Sequence, residues 1–514
     1  MGFFALKMPG ILQGSGFEMK DSSYDQANKL LEDHFGQSSS PYIVLFENKD
    51  NLSQDQFNKE IQDTLKNIDS IDGITSITSP LDNPSQLKEN LAYASISFEK
   101  EKEPADNIDA LEKEMKNDSI SISLTGGDVI EEEMNAASQR DLKNAELIGV
   151  PVAMVVLLLA FGGLVAAFIP LLTGAIAVIT AMGIIYFLGQ IFNLSVFVLN
   201  VAPMIGLAVS IDFALLYINR FREELKEHNV KDAVSITTKT AGRAIAFSGI
   251  CVILGLSGML FIQIDIFRSV AVGGIVVVLL SVISALTFLP GLLSILGSNI
   301  NKAMILKNRK EDASAWRRFA GFVMKKPILS ALAALVILIL VATPIRHIEL
   351  EIPNAESLPA DNETRIAYET FEENFQPEDH TIMPVVLKAE DDILTDDSLE
   401  QVEEFIADLQ EEPLVTNVDS LFSITDMETA SSLNQALQSE QIRAQLEPAL
   451  ENMVDKDTTY IMVEIDAPYD STEAAEYVQD LQDGAINTDL TYTVGGRAKF
   501  NQEIYEEIGT QTPK

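Results

Sequence analysis

Apolar positions in this chain follow two different patterns. Between residues 144 and 345, six stretches are almost continuously apolar, at roughly 144–163, 167–189, 196–219, 243–262, 268–297 and 327–345. A helix needs about 20 apolar residues to cross the hydrocarbon core, so each stretch is long enough to span a bilayer. One such run can belong to a buried helix of a soluble core. Six, five of them nearly contiguous, predict an α-helical polytopic membrane protein.

On either side the apolar runs are short and alternate with polar positions, and the two sides repeat one another. GFEMKDSSYDQANKLLEDHFG at 16–36 answers to EIPNAESLPADNETRIAYETFEENF at 351–375. Each copy continues with an apolar strand (Pro41–Phe46; Thr381–Lys388), an amphipathic helix (53–68; 396–410) and a short strand (73–79; 414–420). A second strand, helix and strand follow: AYASISFEK, 104–116 and SISLTGG, against TYIMVEIDA, 471–483 and LTYTVGG. Both copies close on a glycine pair (Gly126 and Gly127; Gly495 and Gly496) and run into a helix aimed at the membrane. Two strand–helix–strand units per copy predict duplicated ferredoxin-like α+β domains with helices on one face of each sheet. Residues 421–450 add a polar helical pattern, read as a helical hairpin over the second domain. The glycine pairs lack the rest of a P-loop and are read as turns.

Charge orients the chain. Residues 1–140 carry 26 Asp/Glu against 12 Lys/Arg, residues 141–345 carry 10 against 16, and residues 346–514 carry 40 against 8. Acidic ends repel a phosphate backbone, which argues against a nucleic-acid partner. The basic residues of the middle region cluster in 220–243 and 298–326. The positive-inside rule places both connections in the cytoplasm. The links Gly189–Ser195 and Gln263–Phe267 hold no Lys or Arg and fall outside. The expected domains are therefore 1–140, extracytoplasmic; 144–297, a five-helix bundle; 298–326, a cytoplasmic loop; 327–345, a sixth helix; and 346–514, extracytoplasmic.

Export of residues 1–140 calls for an upstream helix. Met1–Leu6 reads like the last turns of one, so a first transmembrane helix is expected ahead of this sequence. Within 298–326, Trp316, Phe319, Ala320 and Val323 share a helical face, with Arg317, Arg318 and Lys325 on others. That pattern predicts a helix lying in the cytoplasmic interface; a plain basic juxtamembrane loop is the alternative.

Soluble-enzyme chemistry has no constellation here. The single cysteine, Cys251, lies in an apolar run, and His34, His228, His347 and His380 have no ligand spacing. HExxH, CxxC, GxSxG and GxxxxGK[ST] are all missing from the sequence, so no metal site or cofactor is expected. One residue inside a span does carry chemistry. Asp212 sits several residues before the basic end of VFVLNVAPMIGLAVSIDFALLYINR. An ionisable group at that depth costs about 2.5–3.5 kcal/mol on insertion scales and is normally retained for a proton or ion pathway. Gly206, Ala208, Ser210 and Ala214 around it permit close helix approach. A purely structural Asp212, bonded to Ser210 or to a neighbouring helix, is the alternative.

GLAVSIDFALLYINRFREEL at 206–225 resembles the fourth transmembrane helix of MmpL-type transporters in the resistance–nodulation–division superfamily. The likeness continues through KTAGRAIAFSGICVILGLSGMLF (239–261) and IFRSVAVGGIVVVLLSVISALTFLPGLLSILG (266–297), and helices two to six also resemble a sterol-sensing domain. It covers essentially the whole chain, including the order of domain, five helices, helix and domain. It implies a proton relay at Asp212, with Gly206, Ser210, Phe213 and Tyr217 as its neighbourhood. It also implies a cytoplasmic end motif at Arg220, Arg222 and Glu223. Phe213 stands where the family has a Tyr whose hydroxyl would meet the other half's Asp, and Tyr217 lies one turn on. If that hydroxyl matters, Phe213→Tyr should preserve or raise activity.

Family members have twelve helices, so helix one and helices eight to twelve are expected as a missing transmembrane half. The implied function is proton-driven export of lipids, fatty acids or hydrophobic drugs from a bacterial cytoplasmic membrane, without covalent catalysis. Membrane lipids and an amphiphilic substrate would be the partners, and protons the coupling ion. The alternatives are a lipid-sensing or scaffold protein without transport, and a protein-export accessory.

Overall fold

A computed structural model describes residues 19, 22–36, 40–49, 52–99, 104–117, 119–192, 194–262, 264–304, 314–344, 354–376, 379–486 and 488–511. The expectations for Met1–Leu6, for the basic residues Lys307, Arg309 and Lys310, and for the start of the second repeat at 351–353 lie outside the described residues.

The first α+β unit comprises α1 (Ser23–Phe35), β1 (Tyr42–Glu47), α2 (Gln54–Ile68), β2 (Ile74–Thr78), β3 (Leu91–Phe98), α3 (Pro104–Glu114) and β4 (Ser121–Thr125). Its strands pair antiparallel in the order β2-β3-β1-β4. In β1, pleating sends Tyr42, Val44 and Phe46 to one face, where they pack with Phe57, Ile61 and Ile68 of α2. Ile43 and Leu45 point the other way and are buried as well. Serine begins both of the longer helices: Ser22 accepts from Asp25 N, and Ser53 forms a capping box with Gln56. After β4, the turn needs glycine. Gly126 has φ +121°, and a Cβ there would stand 2.4 Å from the Pro41 carbonyl oxygen.

Eight helices follow: α4 (Gly127–Phe161), α5 (Leu164–Gly189), α6 (Val198–Glu224), α7 (Val230–Ser257), α8 (Asp265–Leu286), α9 (Phe288–Leu296), α10 (Ser314–Lys325) and α11 (Pro327–Ala342). Among the described residues, five helical stretches are long and apolar enough to cross a membrane, or six if α10 and α11, bent by 100°, count as one span. The first expected span is the lower part of a 35-residue helix that starts at the glycine pair. The span expected at 268–297 is broken at Thr287 between α8 and α9. The basic stretch 220–243 is mostly helix rather than loop, since α6 runs to Glu224 and α7 begins at Val230. Asn229 caps α7, its Oδ1 accepting from Asp232 N at 3.0 Å, which allows the helix to start thirteen residues before its apolar run. Where the sixth span is expected lies α11, whose 16 residues rise about 24 Å at 1.5 Å per residue, so that it counts as a span only together with α10.

The second α+β unit holds α12 (Glu363–Phe375), β5 (Thr381–Lys388), α13 (Asp396–Glu411), β6 (Val415–Asp419), α14 (Leu421–Ile424), α15 (Ala430–Leu437), α16 (Glu440–Glu451), β7 (Val454–Asp455), β8 (Thr458–Ile465), α17 (Thr472–Gln482), β9 (Thr491–Val494) and α18 (Gly496–Gln511). Its main sheet reads β6-β8-β5-β9, the same order as the first sheet, with β7 added beside β8. The expected helical hairpin at 421–450 is three short helices, because Ser420 and Thr429 each open a new capping box.

Helices on one face of each sheet describe only half of the packing. The leading helices are exchanged between units. α12 lays Phe371 and Phe375 over Ile43, Leu45 and Tyr93 of the first sheet, while α1 lays Leu31 and Phe35 over Val386 and Tyr460 of the second. Each sheet therefore has its own helices on one face and the other unit's leading helix on the opposite face.

Candidate functional site

α6 is apolar nearly all round, so its burial is set by neighbours rather than by its own pattern. Gly206, Ser210, Phe213, Tyr217 and Phe221 are buried. A helix brings residues four apart onto one face, and Met204, Ala208, Asp212 and Leu216 make such a row, all exposed. Met204 is 62% exposed and Leu216 44%. Asp212 thus sits in the middle of an apolar stripe that no described element of the chain covers. Among the described residues its carboxylate has no hydrogen-bond or ion-pair partner.

The buried side of α6 is held by small residues and hydroxyls. A Cβ at Gly206 would stand 2.2 Å from Val277 Cγ2 and 2.9 Å from Val178 Cγ2, so α8 and α5 approach the α6 backbone closely. Ser210 Oγ donates to Ser281 Oγ at 2.7 Å, and Ser281 Oγ donates to Val277 O at 2.8 Å. Ser284 Oγ donates to Thr173 O at 3.4 Å, tying α8 to α5. Phe213 is 3% exposed and packs in the apolar cluster with Leu157, Ala167 and Leu289. Tyr217 is fully buried. Its hydroxyl lies 2.6 Å from Thr238 Oγ1 and 3.4 Å from Val234 O, and Thr238 Oγ1 lies 2.9 Å from the same carbonyl, so the two hydroxyls share one acceptor.

At the basic end of α6 the arginines have different tasks. Arg222 Nη1 donates to Phe161 O at 2.9 Å and Nε donates to Asn301 Oδ1 at 3.0 Å. Phe161 ends α4, so Arg222 satisfies a carbonyl that the helix leaves unpaired and ties α4, α6 and the segment after α9 together. Arg220 pairs with Glu224 at 2.5 Å and Glu223 at 3.3 Å, and Glu224 also meets His228 at 3.2 Å.

The residues expected around Asp212 therefore divide. Gly206 and Ser210 face α8, Phe213 and Tyr217 face the bundle core, and Arg220, Arg222 and Glu223 gather at the helix end. None of them hydrogen-bonds Asp212. Ser210 gives its proton to Ser281, so the structural alternative of an Asp212–Ser210 bond is not realised. Sequence reasoning missed Ser281, Thr238 and Asn301. A hydroxyl inside an otherwise apolar helix was the available signal for Ser281, because such a group seeks a partner across a helix interface; Thr238, in the polar start of α7, gave no such signal. Among the described residues no three of His, Cys, Asp and Glu converge as metal ligands.

A family model described as the MMPL family matches residues 16–330, which takes in the first α+β unit and the bundle through α10. The mycolic acid-containing lipids exporter MmpL11 of Mycolicibacterium smegmatis is 29% identical over 359 residues, covering 66% of this chain and 38% of that protein. Membrane protein YdfJ of Bacillus subtilis is 32% identical over 332 residues, covering 62% of this chain and 44% of its own length. The trehalose monomycolate exporter MmpL3 of Mycobacterium tuberculosis is 26% identical over 417 residues, covering 73% of this chain and 44% of that protein. The chain spans less than half the length of these curated relatives. With the match running through the Asp212 helix and the bundle around it, the chain belongs to the MMPL family.

Proposed function

We propose that the chain forms part of a proton-driven exporter of lipids or other amphiphiles in a bacterial cytoplasmic membrane. In this reading both outer units are extracytoplasmic, duplicated ferredoxin-like domains. The shared strand order of the two sheets supports the duplication, and the basic loop charges support the orientation. The substrate class is supported by two relatives named for lipid export.

The observation that carries the proton reading is Asp212 on the uncovered stripe of α6. A carboxylate cannot face hydrocarbon cheaply, so the stripe is proposed to face a second helix bundle or a water path, where protons reach it. Proton uptake there would neutralise Asp212 and favour closer packing of the apolar stripe. Release would reverse this. One charge moving through the membrane potential supplies about 2.3 kcal/mol per 100 mV, enough to bias a two-state rearrangement. Arg222, by tying the end of α4 to α6, would pass that rearrangement into the helix that leads to the first outer unit. No covalent step is involved.

Asp212→Asn keeps the shape and cannot ionise. Export by the whole transporter should be abolished while expression and membrane insertion stay normal. Full proton-dependent export by that variant would refute the assignment.

A further inference from the structure

One basic segment has no part in the proton reading. The sequence 298–326 carries eight Lys and Arg against Glu311 and Asp312, and α10 lies within it. Pro327 opens α11, and the residue before a proline is kept out of helical geometry. Lys326 accordingly has φ −135° and ψ 62°, and the chain turns by 100° between α10 and α11. If α11 runs along the membrane normal, α10 lies across it, in the plane of the surface.

The side chains of α10 suit that position. Phe319, Phe322 and Met324 are 60%, 59% and 79% exposed, so much of their apolar surface lies open. Arg318 and Lys325, seven residues apart, share another face, and Lys326 stands at the corner. A re-entrant course into the bilayer would carry Arg318 and Lys325 into hydrocarbon, the least favourable place for them. A helix floating in water would leave three large apolar side chains solvated. Only an interface satisfies both faces, and its charge sign must oppose that of the cations.

We propose that α10 is a docking site for anionic phospholipid, seating its phenylalanines among the acyl chains and its Arg and Lys on headgroup phosphates of the cytoplasmic leaflet. The inference goes beyond the proton reading; it depends on α11 entering a membrane and, for the choice of leaflet, on the orientation proposed above. Failure of the Asp212 test would leave it standing.

Trp316 is the single tryptophan of the chain and belongs to α10, so the full protein carries its own reporter. It would be reconstituted in phosphatidylcholine bilayers containing phosphatidylglycerol, with bromine labels placed on one lipid or the other at equal mole fraction. Each cation near an anionic surface favours contact roughly fivefold, so brominated phosphatidylglycerol should quench Trp316 several-fold more than brominated phosphatidylcholine. Bromines near the headgroup should quench more than bromines near the chain end. The combined Arg318→Gln, Lys325→Gln and Lys326→Gln variant should lose the preference yet keep quenching by phosphatidylcholine. In the unaltered protein, added salt should weaken the preference as screening shortens the reach of the charges. Equal quenching by the two lipids, stronger quenching by the deep bromines, or no quenching at all would each overturn the proposal.

Discussion

Gly206→Ala tests whether the close approach of α6 and α8 sets the geometry behind Asp212. The added methyl would stand 2.2 Å from Val277 Cγ2, whereas carbon atoms rest about 3.5–4.0 Å apart. Val277 is fully buried, and a β-branched side chain on a helix has one strongly preferred rotamer, so it cannot swing aside freely. Val178 Cγ2, 2.9 Å away, limits escape in the other direction. The helices must therefore separate by more than 1 Å or so, at a cost of about 1–3 kcal/mol for overpacking. One turn along α6, the Ser210–Ser281 bond of 2.7 Å would stretch, adding about 0.5–1.5 kcal/mol. The expected destabilisation is about 2–4 kcal/mol. It would be read as a lowered unfolding midpoint of the full chain in detergent micelles. Val277→Ala in the same chain removes the nearest clash, so the double variant should be at least about 1 kcal/mol more stable than the two single effects predict. Strict additivity, or a Gly206→Ala protein as stable as the original, would show that the interface yields by other means.

Two further perturbations follow from the same packing. Phe213→Tyr is expected to destabilise the bundle by about 1–3 kcal/mol, because the ring is 3% exposed among apolar neighbours; unchanged melting would refute this. Burial pushes the Tyr42 hydroxyl from 10.0 up to about 12, against the lowering effect of a hydrogen bond from Asn107. A raised folded-state pKa means that this contribution to stability is complete below pH 10 and is lost as the pH climbs through about 12. Circular-dichroism melts between those limits should therefore lose less stability in Tyr42→Phe than in the unaltered protein, and parallel slopes would contradict the assignment.

Much of the architecture was legible because local signals agreed. The strand Thr381–Lys388 was read with its observed ends, and α2 and α13 were read to within a residue, since alternation, amphipathic spacing and capping residues coincide there. The apolar run from 243 does not reveal that α7 begins at Val230, although Asn229 followed by Asp232 is a legible helix cap. The exchange of α1 and α12 left no local trace. Leu31 and Phe371 mark buried stripes, but a stripe does not say which of two similar sheets it covers. Asp212 was found from its depth in an apolar run. Its exposure was not, because α6 is apolar on both the covered and the uncovered side, and periodicity cannot separate a face against protein from a face against lipid.

The exchange has a mechanical consequence. α4 runs unbroken for 35 residues from the first sheet into the bundle, where Arg222 holds its end. Near its start, Glu133 Oε2 accepts from Asn362 Nδ2 at 3.0 Å, at the cap of α12. The equivalent contact on the other side is made by Glu503, which accepts from Ser23 N at 2.9 Å at the start of α1. Lys499, 1% exposed, pairs with Glu503 at 3.2 Å and donates to Gln502 at 2.9 Å, so a buried charge fixes the capping carboxylate. Arg497 stacks 3.7 Å over the Tyr469 ring and hydrogen-bonds Tyr368 of α12. Pulling the units apart would expose Leu31, Phe35, Phe371 and Phe375, at about 1.5–3 kcal/mol for each side chain fully uncovered, and would break both caps. A few kcal/mol of bias at the bundle cannot meet that cost. Displacement of α4 would therefore move the two α+β units together, and any opening between them would come from bending within each unit rather than from their separation.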